Sequence, residues 1–229
     1  MRRSVVQAAS LTLLAGTLAG CNVFPEVEPA TPTSNIISTE LATVIQKDEV
    51  TAAQYWASTV RLGHAALPTL VILSGDATYS CQTADHNGTP LTVPMDSRYP
   101  SFKFCRGQGA IVVPGQAVNF VYDVGGAAAL AYILNHEMGH WVQKARGLDD
   151  TQGNTASSTT HELGADCLAG VSMAASATPA ELAAAEQGMA KVLGGDAAHH
   201  GTTQDQIAAF HAGASTGDCS AFGIPNPVN

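Results

Sequence analysis

The run AYILNHEMGHWVQ, residues 131–143, constrains this chain more than any other feature of its sequence. His136 and His140 are four residues apart, so in a helix their imidazole rings project from one face. Two such rings can bind one Zn²⁺ ion, and Glu137 can then point toward a water on that ion. The alternative is a helix with three solvated polar residues. The apolar residues on both sides of the motif favour a buried helix, in which these polar groups need partners.

A catalytic zinc site also needs a third protein ligand, and the later run HELGADCLAG contains candidates. Glu162 and Asp166 are four residues apart and therefore share a helix face. We predict that Glu162 is the third zinc ligand and that Asp166 accepts the second N–H of a ligand histidine. His161 is a rival third ligand, and an exposed acidic helix face is the alternative without a metal.

Hydrolysis of an amide bond further needs a donor for the negative charge that develops on the carbonyl oxygen. His200 precedes a predicted helix start in HHGTTQDQ and is our candidate for this oxyanion stabiliser. A structural or N-capping role for His200 is the open alternative. Tyr122 and Tyr132 are other candidate donors, although Tyr132 lies one turn before His136, which favours a position in the core.

Three segments in this order, NHEMGHWVQ, ELGADCLAG and HGTTQDQIAAFHAG, resemble the neutral zinc metallopeptidase family of bacteria. The resemblance covers roughly residues 100–222 and follows the broader glutamate-zincin pattern, HExxH with a later Glu-x-x-x-Asp. It implies a zincin-like domain with the two motif histidines and Glu162 as ligands of one Zn²⁺ and with Glu137 as the catalytic residue. AIVVPG, residues 110–115, would match the edge strand with which zincins pair an extended peptide.

The first 20 residues are typical of a secretory signal peptide. Arg2 and Arg3 precede an apolar run that is short for a membrane span, and small residues lead to Cys21. The sequence Leu-Ala-Gly-Cys that ends at Cys21 resembles the bacterial lipobox, so we predict a lipoprotein signal peptide, residues 1–20, and lipidation of Cys21. An ordinary signal peptide or a weak anchor is the alternative.

The segment after the predicted signal peptide, residues 21–38, is rich in Pro, Ser and Thr. We expect it to be a flexible tether between the lipid on Cys21 and a single domain, residues 39–229. The protein would then be a membrane-anchored lipoprotein on the extracytoplasmic side of the bacterial cell envelope. The formal net charge of −9 argues against a nucleic-acid partner, because binding phosphates needs a basic patch.

Four cysteines remain when Cys21 carries lipid, and an even number in an exported domain suggests two disulfides. The sequence alone permits three pairings, and free buried thiols or a cysteine zinc ligand are alternatives. We favour the pairs that join neighbours in cysteine order, which are Cys81–Cys105 and Cys167–Cys219.

The pattern along the chain predicts an α+β fold that is mostly helical, with a small sheet and the HExxH motif on a long helix. We expect a buried strand or a helix at 69–75, a long loop at 76–108 with Cys81 and Cys105 at its ends, a short edge strand at 110–115 and a polar loop at 149–160. Helices are predicted at 39–62, 126–146, 161–175, 178–193 and from residue 202 onward.

These features together predict a lipid-anchored extracytoplasmic zinc metallopeptidase with a peptide or protein substrate. Glu137 would act as general base toward a zinc-activated water. The alternative from a different class is a catalytically inactive, zinc-stabilised binding or scaffold lipoprotein of the cell envelope. A hydrolase for a non-peptide amide is a third option, because the metal chemistry is the same.

Overall fold

The computed structural model describes residues 34–59, 65–84, 90–148, 155–194 and 197–225. These residues contain five strands and six α-helices, and the last element within them is a short 3₁₀ helix at Ser220–Phe222. The strands are β1 (Thr69–Leu73), β2 (Thr78–Ala84), β3 (Pro90–Asp96), β4 (Lys103–Cys105) and β5 (Ala110–Pro114). The helices are α1 (Thr39–Thr59), α2 (Gly115–Ala145), α3 (Thr155–Ala174), α4 (Pro179–Val192), α5 (Ala197–His200) and α6 (Thr203–Thr216). The predicted α+β class, mostly helical with small sheets, is confirmed.

The strands form a three-stranded sheet in the order β1-β5-β4 and a separate antiparallel pair of β2 and β3. In the larger sheet β1 is parallel to β5, and β4 is antiparallel to β5. The prediction that residues 110–115 form an edge strand is therefore wrong, because β5 is the central strand and is buried along its whole length. Its continuous apolar run is the pattern of a strand covered on both faces.

The prediction of a long loop at 76–108 is also wrong, because β2, β3 and β4 occupy most of that segment. In β3 the side chains alternate between buried and exposed, with Val93 and Met95 facing inward. The side chain of Pro94 on β3 is exposed. Because β2 and β3 form a sheet of two strands, each is an edge strand, where the missing backbone N–H of a proline is tolerated. Turn residues and prolines in this segment made its alternating pattern hard to recognise in the sequence. The buried side chains of the strand pair pack into a second, smaller core.

Helix α2 is 31 residues long and begins eleven residues before the predicted start at 126. Gly126 interrupts it with φ 77° and ψ −177°, a conformation that glycine adopts without strain. The helix ends at the predicted place, with Lys144 in its last turn and Gly147 at φ 68°. Its length and apolar composition would also suit a membrane span, but core helices share these properties, and the half after the kink is largely buried in the protein.

Helices α3 and α4 pack against α2, helix α6 packs against α3 and α4, and together these helices build the main core. Helix α3 begins at Thr155, six residues earlier than predicted, so the prediction of a polar loop up to residue 160 is wrong at its end. The capping box of Thr178 and Glu181 starts α4 as predicted. The two predicted disulfides, Cys81–Cys105 and Cys167–Cys219, are both present.

The predicted signal peptide, the lipidation site Cys21 and most of the predicted tether lie outside the described residues. The last residues of that tether, 34–38, lie against the fold instead. Asn35 donates its side-chain N–H groups to the Gly75 carbonyl and to the Ser97 hydroxyl, and Asn119 on α2 donates to two backbone carbonyls of this segment. The folded unit therefore includes residues before 39.

Candidate metal centre

The second half of α2 presents His136, Glu137 and His140 to the interior of the protein. Both histidines are 7% exposed, and Glu137 is 1% exposed. The two imidazole rings lie edge to face with their centroids 4.7 Å apart, as expected for residues one helical turn apart. Because water reaches this face so little, each polar atom here needs a partner within the protein or on a ligand.

Helix α3 brings Glu162 to the two histidines. Its Oε2 atom lies 3.2 Å from His136 Nε2 and 3.2 Å from His140 Nε2. The three residues offer ligand atoms that all lie within 4.8 Å of one another. Two imidazole nitrogens and one carboxylate oxygen are a donor set that Zn²⁺ prefers in catalytic sites. The residues present therefore fit the metal that the sequence predicts.

Gly139, inside the HExxH motif, allows α3 to approach this closely. A Cβ atom at this position would lie 2.8 Å from the carbonyl oxygen of Ala165, which is shorter than any ordinary contact. Ala165 is on α3, one turn after Glu162. The absence of a side chain at Gly139 thus brings the third donor within reach of the two histidines.

The pKa of Glu162 is held well below its usual range by its surroundings. Burial alone raises the pKa of this carboxyl group, but positive charge on His140 and His200 and hydrogen bonds from His136 and His140 outweigh that effect. Glu162 is therefore a carboxylate at neutral pH, and this is the form that binds a metal ion.

Glu137 has one oxygen atom fixed and the other open. Its Oε2 accepts a hydrogen bond of 2.7 Å from the backbone N–H of Phe104 on β4. Its Oε1 is buried and has no hydrogen-bond partner among the described residues. A buried carboxylate oxygen without a donor is costly, which indicates that this atom is reserved for a proton or a ligand. Strand β4, one of the two edge strands of the larger sheet, thus orients the proposed general base.

Asp166 lies where the spacing on α3 predicts it. Its Oδ1 is 2.7 Å from His136 Nδ1 and accepts a second hydrogen bond, 2.5 Å long, from the hydroxyl of Tyr132. Since the carboxylate can only accept, His136 carries a proton on Nδ1, and Nε2 is the ring nitrogen that faces Glu162. The Tyr132 hydroxyl is thus engaged with Asp166, and Tyr132 itself is buried in the core.

His140 has a different acceptor, which the sequence analysis missed. Its Nδ1 lies 3.0 Å from Oε1 of Gln143, one turn later on α2. The other end of this amide donates a 2.6 Å hydrogen bond to the backbone carbonyl of His161. The only sign of this contact in the sequence is that Gln143 is polar and lies three residues after His140, which places the two side chains on the same face of the helix.

The remaining candidates lie at different distances from the centre. The Nδ1 atom of His200, on α5, is 3.2 Å from Oε2 of Glu162. His161, the rival ligand, instead accepts a 2.7 Å hydrogen bond from Arg106 and stacks on the ring of His140. It is not part of the group of donors around Glu162. Tyr122 is 42% exposed and lies on α2 before the kink, so nothing places it at this site.

A family model described as "Putative neutral zinc metallopeptidase" matches residues 26–192 of the chain. The matched segment covers most of the described fold and contains the two motif histidines, Glu137, Glu162 and Asp166, whereas His200 follows it. Searches of the curated proteins and of the solved structures found no match.

Proposed function

The chain belongs to the neutral zinc metallopeptidase family, and we propose that it hydrolyses peptide bonds with zinc at this centre and Glu137 as the general base. One observation carries the proposal. Glu162 Oε2 lies 3.2 Å from both motif imidazoles, and the adjacent Glu137 keeps one buried oxygen without a partner among the described residues. A purely structural zinc site needs four protein ligands and no general base.

His136, His140 and Glu162 would hold the zinc ion, which when bound would supply Lewis-acid chemistry for polarising the scissile carbonyl and for making a water molecule acidic enough to attack it near neutral pH. Glu137 takes a proton from the attacking water at Oε1, because Phe104 holds Oε2 by its N–H group. The same carboxyl group then gives the proton to the leaving amine.

His200 is the proposed donor to the developing oxyanion. Its ring lies beside Glu162, 3.2 Å from the Oε2 atom, and therefore borders the space in which a substrate carbonyl would bind. An N–H group at this position can stabilise negative charge that appears only in the transition state. The structural alternative, in which His200 only orients Glu162, uses the same contact.

We also propose that the protein acts outside the cytoplasm, attached to the membrane by a lipid on Cys21. The two disulfides support this location, because such bonds persist in oxidising compartments. Fractionation of cells that express the wild type and a Cys21→Ser variant tests the anchor. We expect only the wild type in the membrane fraction, and an unchanged distribution of the variant would contradict lipid attachment.

Replacement of Glu137 by Gln tests the proposed reaction. Gln keeps the shape and an acceptor for the Phe104 N–H but cannot take a proton, so we expect peptide hydrolysis to fall by about 10²- to 10⁴-fold. Zinc content, measured by elemental analysis, should stay at that of the wild type. Glu186→Gln is the matched control, because Glu186 lies on α4 and pairs with the exposed His211.

Two results would overturn the proposal. Equal hydrolysis by wild type and Glu137→Gln would show that the activity comes from another source. A wild type that binds zinc and cleaves no member of a broad peptide library would favour the binding or scaffold role instead.

A further inference from the structure

The amide side chain of Gln143 connects the second motif histidine with the helix that carries Glu162. We propose that Gln143 is a positioning residue that fixes the tautomer of His140 and the register of α3 against α2. The inference rests on the proposed zinc site and adds to it a residue whose role the motif does not predict.

Gln143 is almost completely enclosed, with 1% of its surface exposed, and both ends of its amide have partners. Oε1 lies 3.0 Å from His140 Nδ1, and Nε2 lies 2.6 Å from the carbonyl oxygen of His161. A Cβ atom on Gly164 would lie 2.8 Å from Nε2, so this glycine leaves the space in which the amide fits. The side chain therefore has one position between the two helices.

The backbone carbonyl of His161 settles which way the amide points. A carbonyl oxygen can only accept, so the NH₂ group of Gln143 must face it and Oε1 must face His140. Oε1 in turn can only accept, so the proton of neutral His140 must be on Nδ1. In neutral His140, Nε2 is then the nitrogen that can bind a metal, and this atom lies 3.2 Å from Glu162. The form of His140 that binds zinc is thus selected by a carbonyl group on the neighbouring helix.

The same bond fixes the position of the third ligand. His161 directly precedes Glu162, so a hydrogen bond to its carbonyl holds this turn of α3 at the level of His140. Without the amide, the ring of His140 would no longer be held in one orientation. The distance between α2 and Glu162 would no longer be fixed. Groups that orient metal ligands in this way typically contribute about 10- to 100-fold to metal affinity.

The test compares Gln143→Met with Asn135→Leu in the purified protein. Met has the length of Gln without its polar atoms. Asn135 is the matched control, because it is also a buried amide on α2 with a hydrogen bond to α3, which it accepts from the Ser172 hydroxyl, but it contacts no proposed ligand. We expect Gln143→Met to bind zinc about 10- to 100-fold more weakly than the wild type and Asn135→Leu to bind it with wild-type affinity.

Nitrogen-15 NMR of the zinc-loaded proteins provides a readout that does not depend on activity. We expect a protected Nδ1–H signal of His140 in the wild type and in Asn135→Leu, and its loss or rapid exchange in Gln143→Met. If Gln143→Met does not fold, Gln143→Glu decides, because its carboxylate still accepts from Nδ1 and should preserve the signal. Loss of the signal in Gln143→Glu would overturn the proposal.

The outcomes separate this inference from the proposed function. Equal zinc affinity of wild type and Gln143→Met overturns the role of Gln143 and leaves the hydrolysis untouched. A wild type that binds zinc but cleaves no peptide overturns the hydrolysis, while the affinity difference between the two variants still supports the role of Gln143. A wild type without zinc affinity overturns both.

Discussion

The two motif histidines are held by acceptors of different charge. His136 Nδ1 is 2.7 Å from the carboxylate of Asp166, whereas His140 Nδ1 is 3.0 Å from the neutral amide of Gln143. A carboxylate makes the shorter and stronger bond to an imidazole N–H and increases the basicity of the other ring nitrogen. His136 should therefore depend more on its acceptor than His140 does.

Replacement of Asp166 by Asn tests this dependence. Asn still offers an oxygen to His136, but it is neutral, and its NH₂ group would occupy the place of Oδ2, which has no partner among the described residues. We expect zinc affinity to fall by about 10- to 100-fold, measured by competition with a chromophoric chelator. Tyr132→Phe is the control, because it removes a donor to Asp166 and keeps the carboxylate, so its loss of affinity should be smaller. Wild-type affinity of Asp166→Asn would contradict the expected role.

Residue spacing predicted which side chains meet at the centre. The HExxH motif and the four-residue spacing from Glu162 to Asp166 were sufficient to place those groups together. The Phe104 N–H that holds Glu137 could not be predicted, because every residue except proline has this group and only the fold selects one. Gln143 was missed for a related reason, since a glutamine on a helix more often faces water.

At the scale of elements, the site depends on the distance between α2 and α3, which Gly139 sets. Gly139→Ala would improve helix propensity by about 1 kcal/mol. It would also force a Cβ atom to 2.8 Å from the Ala165 carbonyl, and overpacking of this kind costs about 1–3 kcal/mol. The steric cost should prevail, so we expect lower stability to urea. Zinc affinity should fall as well, because α3 carries Glu162 away from the histidines.

Gly188→Ala separates these two effects. A Cβ atom at Gly188 would lie 2.6 Å from the Ala129 Cβ and 2.8 Å from the Gly125 carbonyl, but these contacts join α4 to the part of α2 around its kink and do not involve α3, which carries Glu162. We expect Gly188→Ala to lose stability and keep its zinc affinity. If Gly139→Ala binds zinc as tightly as Gly188→Ala does, the close approach of α3 is not what positions the ligand.

Helices and strands were predictable to different extents, for a physical reason. A capping box or a terminal glycine acts within a few residues, so the C-terminal end of α2 and the start of α4 could be predicted from local sequence. The strands between residues 78 and 105 are short and β3 contains two prolines, so the local sequence does not show that β2 pairs with β3 or that β4 pairs with β5. The central position of β5 likewise depends on two neighbours, and β5 itself does not encode them.

In the whole molecule, covalent bonds tie together the segments that meet at the centre. Cys81–Cys105 joins β2 to β4 next to Phe104, and Cys167–Cys219 joins α3, directly after Asp166, to the segment that follows α6. Both bonds are buried. Strand β4 and helix α3 supply groups to the site from different parts of the chain, so these bonds limit how far the groups can separate when the protein fluctuates.

Removal of zinc should lower the stability of the whole protein, because the ion joins donors on α2 and α3 and the unfolded chain has no such site. Zinc at about 1,000 times its dissociation constant stabilises the folded state by about 4 kcal/mol, which for a chain of this size is a Tm increase of about 8–16 °C. Binding to the unfolded chain would reduce the effect, but four of the five cysteines are in disulfides and offer no thiolate. We expect calorimetry to show this increase in the wild type, little of it in Glu162→Ala, and the full increase in Glu186→Ala. A Tm that zinc and chelators leave unchanged in the wild type would contradict a zinc site at this centre.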